Sequence, residues 1–261
     1  MDRKELLNGF YGKYTEDTRL DRNRHGQLEY LTTMNYIHRI LPEKARIMEI
    51  GAGTGRYSIA LAKEGYDVTA VELVESNLEL LRQNSKGLLN IASYQGDALD
   101  LGRFLDNCFD VTLVFGPLYH LYEEKDQHKA LDEAIRITKN GGIIMAAFLS
   151  APMILFNDYL GDDLQAGLRA NFTEDYRTKH FTEQLFTGFN VDEFEALFEK
   201  KPTEWIATVA ADSILELAER REDFSMSDED FSAFANYHLH NCERREMLGC
   251  SSHLLYICRK K

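Results

Sequence analysis

A short apolar run, Ala45-Arg46-Ile47-Met48-Glu49-Ile50, stops abruptly at Gly51-Ala52-Gly53-Thr54-Gly55, and a helical stretch over 56–64 follows. A strand, a glycine turn and a helix in that order let a ligand reach backbone N–H groups at the positive end of the helix. Dinucleotide sites use G-x-G-x-x-G, whose third small residue lets helix and strand pack closely. Here Gly51 and Gly53 fit that spacing, but Arg56 stands at the third position. The pattern is instead G-x-G-x-G after an acid, Glu49, which suits a ligand needing room and hydrogen bonds rather than a pyrophosphate cradle. A second strand, Val68–Val71, runs into Glu72. A carboxylate there can accept both ribose hydroxyls of an adenosine.

The rest of the chain repeats the alternation of strand and helix. Leu28, Leu31, Met34, Ile37 and Leu41 predict a helix over 28–41 that ends at Pro42. Leu78 and Leu81 predict another. Residues 109–115 read as a strand, 124–138 as a helix with Gly141-Gly142 after it, and 143–148 as a buried strand. Such alternation implies an α/β fold, with a parallel sheet covered on both faces. Residues 151–190 lose the period and read as an insertion over the sheet edge. Regular structure resumes as helix 191–199, strand 205–209, helix 231–247 and strand 254–258, an ending that completes the same sheet as a terminal antiparallel hairpin.

A chain of 261 residues with 44% hydrophobic and 28% charged side chains fits one domain with a modest insertion. The expected division is an N-terminal helical cap (1–44), a core (45–150), an insertion or lid (151–190) and a C-terminal completion of the sheet (191–261). The net charge of −13 opposes the phosphate contacts that give nucleic-acid binders their baseline affinity, so no nucleic-acid partner is expected. The charged start has no signal-peptide core, and the apolar stretch 143–156 is too short to span a bilayer. Cys108, Cys242, Cys250 and Cys258 form no C-x-x-C pair. Reduced thiols and a cytoplasmic location are the expectation.

Taken together, these residues resemble the class I S-adenosylmethionine-dependent methyltransferases, and in particular their bacterial small-molecule branch. The first motif of that family resembles Glu49 to Gly55, and its ribose-binding acid resembles Glu72. Its third motif is similar to Gly96-Asp97-Ala98, its fourth to Phe109–Phe115 with the loop Gly116-Pro117-Leu118-Tyr119-His120-Leu121, and its fifth to Ala134–Gly142. The likeness covers residues 45–150 in order and, more weakly, the strand–helix–strand ending. It implies a Rossmann-like, doubly wound, seven-stranded and mostly parallel sheet with an antiparallel terminal hairpin and a helical lid. It also implies S-adenosylmethionine as cofactor, held by Tyr11, Glu49, Gly51, Gly53, Gly55, Arg56, Glu72, Leu73, Asp97, Ala98 and Phe115. The function it implies is methyl transfer to an oxygen or nitrogen atom of a small molecule, by a monomer or homodimer.

On the acceptor side, the loop after the fourth strand offers His120 as a proton acceptor, because imidazole titrates near neutrality. Tyr14, Tyr119, His120 and Arg169 are the candidate substrate contacts. Phe115-Gly116-Pro117-Leu118 departs from the Asp/Asn-Pro-Pro-Tyr/Phe loop of enzymes that methylate planar amides or base amines, which argues against those acceptors. His238, His240, Cys242 and Cys250 have the wrong helical spacing for a metal site, and no metal is expected. Ser227 is a fitting N-cap for the helix that follows it. Two alternatives share the motifs: a non-catalytic protein that binds the cofactor or its product, and an NAD-dependent oxidoreductase, which Arg56 disfavours.

Overall fold

The computed structural model describes residues 3–12, 16–161, 163–180 and 185–261. Two helices, α1 (Arg3–Tyr11) and α2 (Arg24–Ile40), precede the first strand. Asn23 caps α2 by accepting the Gly26 N–H at 3.1 Å. The chain turns extended at Leu41 because Pro42 bars its neighbour from the helical region. Strand β1 (Arg46–Ile50) is buried after its first residue, as a central strand covered on both faces must be. Helix α3 (Arg56–Lys63), strand β2 (Asp67–Glu72), helix α4 (Glu75–Asn84) and strand β3 (Ile91–Gln95) build outward from it. Strand β4 (Phe109–Val114), helix α5 (Glu124–Ile137) and strand β5 (Thr138–Leu149) build outward on the other side.

The sheet has seven strands in the order β3-β2-β1-β4-β5-β7-β6, counting β6 (Thr203–Ala210) and β7 (His253–Lys260). The first five are parallel, and β7 lies antiparallel between β5 and β6. The expected α/β class and antiparallel ending are therefore present. The direction of winding reverses between β1 and β4, whose last residues Ile50 and Val114 pair side by side. Ligands of open α/β sheets bind at such a reversal, outside the carboxyl ends of the strands.

Between β5 and β6 come α6 (Ala151–Tyr159), α7 (Leu164–Asn171) and α8 (Val191–Ala196); between β6 and β7 come α9 (Leu215–Glu219), α10 (Asp228–Asn241) and α11 (Arg245–Leu248). Ser150 and Asp163 cap α6 and α7, and Ser227 caps α10 by accepting the Asp230 N–H at 3.0 Å. Phe148 of β5 and Phe194 of α8 stack at 3.9 Å, and Phe198 stacks on Tyr256 of β7 at 4.1 Å. Among the described residues no helix is long and apolar enough to cross a membrane.

Three elements differ from the sequence expectation. Strand β3 carries no apolar run, since it is an edge with Tyr94 exposed, and so it left no periodic signal. The strand expected over 143–148 already begins at Thr138 and runs through Gly141 and Gly142, with a register break opposite Phe109 and Val111 that marks a bulge. The helix expected over 231–247 stops at Asn241. There the Cys242 carbonyl turns aside to accept the Ala210 N–H of β6 at 2.9 Å, and α11 starts a separate turn at Arg245.

Candidate active site

The crevice at the ends of β1 and β4 opens into a cavity of about 1200 Å³, solvent mouth included. Its floor is the glycine loop. Gly51 has φ +80°, and a Cβ there would lie 2.4 Å from the Phe115 carbonyl oxygen. Only glycine therefore lets the loops after β1 and β4 meet. Gly53 donates its N–H to Glu72 Oε2 at 2.7 Å, and Val74 donates to Oε1 at 2.8 Å. Two backbone donors thus fix the Glu72 carboxylate at the cavity wall, and carboxylate oxygens accept more than one bond each. Glu49 lies below the loop. Burial, with the Glu72 charge adding to it, pushes its pKa up to about 8 although the Ser58 hydroxyl donates to it, so it stays protonated at neutral pH.

Beyond Glu72, Leu73 and the pair Asp97-Ala98 after β3 line the same cavity. Asp97 accepts the Leu99 N–H at 3.0 Å and forms an ion pair with Arg3 of α1. Helix α1 thereby lies across the site, with Arg3, Leu7 and Tyr11 facing the cavity. At its far end the Tyr11 hydroxyl meets His120 Nε2 at 3.1 Å. His120 Nδ1 lies 2.7 Å from the Leu185 carbonyl, which can only accept, so Nδ1 carries the proton. Burial pushes the His120 pKa down to about 4, against the pull of that carbonyl. The ring is therefore neutral, and its one lone pair, on Nε2, is taken by the Tyr11 O–H. His120, the expected proton acceptor, thus joins α1, the loop after β4 and the segment at Leu185. Phe186 packs against Phe10 at 5.7 Å and against His120 at 5.1 Å, completing the seam.

The opposite wall carries charges that the sequence reading passed over. Arg19 donates to both oxygens of buried Glu29, at 2.7 and 2.9 Å. His253, the first residue of β7, places Nδ1 at 2.6 Å from Asp212 Oδ2 and 3.6 Å from Glu29 Oε2. Burial raises the Glu29 pKa, but Arg19 and His253 outweigh it and hold the group down at about 2. Burial lowers the His253 pKa, but Glu29 and Asp212 outweigh it and hold the ring up at about 9. Arg19, Glu29 and His253 line the cavity. No local motif marks them: the four come from a loop, α2, the end of β6 and the start of β7.

Of the residues expected at the site, Tyr11, Glu49, Gly51, Gly53, Arg56, Glu72, Leu73, Asp97, Ala98, Phe115, Tyr119 and His120 all line the cavity. Two do not. Gly55 caps α3 at φ +91°, where a Cβ would come 2.8 Å from Leu81 Cγ, so the position needs glycine for helix packing. Arg169 lies on α7 away from the cavity, with its carbonyl accepting from Lys179. Tyr14 falls outside the described residues. Arg56 pairs with Asp21 at 2.6 Å and lies over the Tyr30 ring at 4.5 Å.

This surface suits an adenosine-bearing cofactor: a fixed carboxylate for the ribose, an acid and a backbone turn after β3 for the base, and a loop whose floor admits no side chain. Comparison with known proteins points the same way. Residues 48–146 match the family model of the methyltransferase domain. A demethylmenaquinone methyltransferase of Clavibacter sepedonicus is 38% identical over 110 residues, 42% of this chain and 43% of that one. A glycine/sarcosine N-methyltransferase of Parasynechococcus marenigrum is 25% identical over 178 residues, 63% of this chain and 61% of that one. The chain thus spans less than half the length of the first of these relatives. Among solved structures, an S-adenosylmethionine-dependent methyltransferase of Thermotoga maritima, described as a possible histamine N-methyltransferase, shares the fold over the whole of both chains, with a TM-score of 0.59 and 19% identity. The family match falls on the strands and turns that carry Glu49, Glu72 and Asp97, so residues 48–146 are similar to the methyltransferase domain at the residues that line the cavity.

Proposed function

We propose that the chain catalyses methyl transfer from S-adenosylmethionine to a small molecule docked in the same cavity. The observation that carries this reading is the convergence of Glu72, Asp97 and the Gly51–Gly53 loop on one cavity that extends past β4 to a second, polar wall. When bound, the cofactor supplies a sulfonium methyl that is already activated. The protein's own tasks are then to bind, align and keep water out, and alignment alone supplies about 7–11 kcal/mol in favourable cases. Glu72 holds the ribose hydroxyls, Asp97 and Ala98 hold the adenine edge, and Leu73 and Phe115 pack beside it. Helix α1 covers the site and excludes water, which strengthens every electrostatic contact beneath it. Tyr119, at the turn after β4, shapes the acceptor end.

Oxygen or nitrogen is the acceptor atom that the resemblance implies. The relatives' names point to different acceptors, a demethylmenaquinone in one case and glycine or sarcosine in another, and the family match over 48–146 includes none of Arg19, Glu29, Asp212 and His253. Alignment-driven transfer serves a carbon nucleophile as well as a heteroatom, so the choice rests on the wall and not on the cofactor half.

The test is calorimetric titration of the purified chain with S-adenosylmethionine, S-adenosylhomocysteine and NAD. Micromolar binding of the first two and none of NAD is the expected result. Glu72→Ala should weaken both by about 1.5–3 kcal/mol, the worth of a charged hydrogen bond. Unchanged affinity in that variant would remove Glu72 from the site, and binding of NAD alone would overturn the reading.

A further inference from the structure

The wall formed by Arg19, Glu29 and His253 is a cluster of paired charges. Three of its charged groups face the cavity, Arg19, Glu29 and His253, whereas Asp212 stands behind the imidazole with its side chain fully buried. Asp212 is held rigidly: its Oδ1 accepts from Ser251 Oγ at 2.7 Å, from the Ser252 N–H at 2.9 Å and from the His253 N–H at 3.2 Å. Its Oδ2 takes His253 Nδ1. The imidazole is therefore aimed by its Nδ1 side, and Nε2 makes no hydrogen bond among the described residues. With two carboxylates at Nδ1 the ring is an imidazolium at neutral pH, and Nε2–H is a cationic donor. Both oxygens of Glu29 are already taken by Arg19, and the charges of Arg19, Glu29, His253 and Asp212 balance as two ion pairs. A metal ion is disfavoured at the same residues, because it would have to displace the guanidinium from Glu29 and the imidazole proton from Asp212. Apolar Phe115, Ala147 and Leu254 line the same cavity, together with Thr33 and Tyr57.

We propose that the Asp212–His253 pair is the acceptor-docking element, with His253 Nε2–H donating to an ionised oxygen, carboxylate or phenolate, on an acceptor of aromatic size. The inference rests on the methyltransferase reading, since it needs the cofactor at Glu72 to leave this wall for the acceptor. His253 touches the acceptor in this assignment; Asp212 and Glu29 position it.

The test uses the full chain saturated with S-adenosylhomocysteine and carrying ¹⁵N-labelled histidine, titrated with benzoate, phenol and benzylammonium, three probes of similar size and different charge. Benzoate and phenol should shift the His253 ring resonances, and benzylammonium should not. His253→Ala should weaken benzoate at least about tenfold, the lower end for a charged hydrogen bond. His253→Gln keeps a neutral donor and should fall between that variant and the parent. Asp212→Asn should weaken benzoate as well. Affinity for S-adenosylhomocysteine should stay within about twofold in the two His253 variants, with melting curves confirming the fold. If His253→Ala is too unstable to titrate, the parent resonances and His253→Gln decide. Binding of benzylammonium at His253 in preference to benzoate, or no binding of any probe, overturns the proposal. A tenfold loss of S-adenosylhomocysteine affinity in folded His253→Gln also overturns it, by giving the wall to the cofactor tail. Failure of the parent chain to bind S-adenosylhomocysteine is a separate outcome that removes the cofactor reading itself.

Discussion

Glu49 is a carboxylic acid kept neutral, and its stability signature has a definite sign. Its folded pKa of about 8 lies above the ordinary 4.5, so the unfolded chain ionises freely across that window while the folded chain does not. The contribution to stability is complete below pH 4.5 and is lost progressively as pH rises to 8. Glu49→Gln removes the titration and keeps a hydrogen-bonding group for Ser58. Thermal or urea unfolding of both proteins from pH 5 to pH 8 should show the variant gaining on the parent by on the order of 1 kcal/mol per pH unit. A constant difference across that range would mean that Glu49 ionises as easily in the fold as outside it. His120 makes a contrasting case. With its pKa held at about 4 and its lone pair occupied by Tyr11, it supplies no ionisation near pH 6.5. The pH–rate profile should therefore lack a limb there, and one that vanishes in His120→Asn would return the ring to the role of base.

At the scale of elements, helix α1 is fastened at both ends, by Arg3 to Asp97 and by Tyr11 to His120, across the proposed adenosine site. Tyr11→Phe releases one end while leaving the ring in place. Hydrogen exchange in residues 3–11 should accelerate, and affinity for S-adenosylhomocysteine should fall by about tenfold or less, since one part-buried neutral hydrogen bond is worth about 0.5–1.5 kcal/mol. Unchanged exchange would show that the latch contributes nothing to the lid. The lid also illustrates what the sequence makes legible. The glycine loop, Glu72 and Asp97 stand out because local backbone needs, a turn after a buried strand and an acid at a strand end, leave their mark within a few residues. Strand β3 escaped because an exposed edge needs no apolar alternation. The Asp212–His253 pair escaped for another reason: its members are joined only when β7 slides between β5 and β6, an event with no local signature.

For the whole molecule, that same topology separates two tasks. The family match and the residues proposed to bind adenosine lie in the parallel half, whereas the core around Phe148, Phe194, Phe198 and Tyr256 holds the antiparallel half together. Phe194 is fully buried, stacks on Phe148 and meets Phe189 edge-on at 5.1 Å, so it joins α8 and the returning segment at Phe189 to the face of β5. Its helix is a short one, fixed by the Asn190–Glu193 capping box rather than by length, and so it has little means to collapse into a void. Phe194→Ala should therefore cost about 3–5 kcal/mol, the range for deleting a buried phenyl ring. Urea denaturation measures that loss, and calorimetry at low temperature, where the variant stays folded, measures the cofactor site separately. Affinity for S-adenosylhomocysteine should hold within about twofold, because the rings that pack on Phe194, those of Phe148, Phe189, Phe198 and Tyr256, are not among the cavity's lining residues. The acceptor wall should be the part that suffers, since Asp212 and His253 sit at the ends of β6 and β7, which this core anchors. A parallel loss of cofactor affinity would instead mean that the two halves of the sheet fold and bind as one unit.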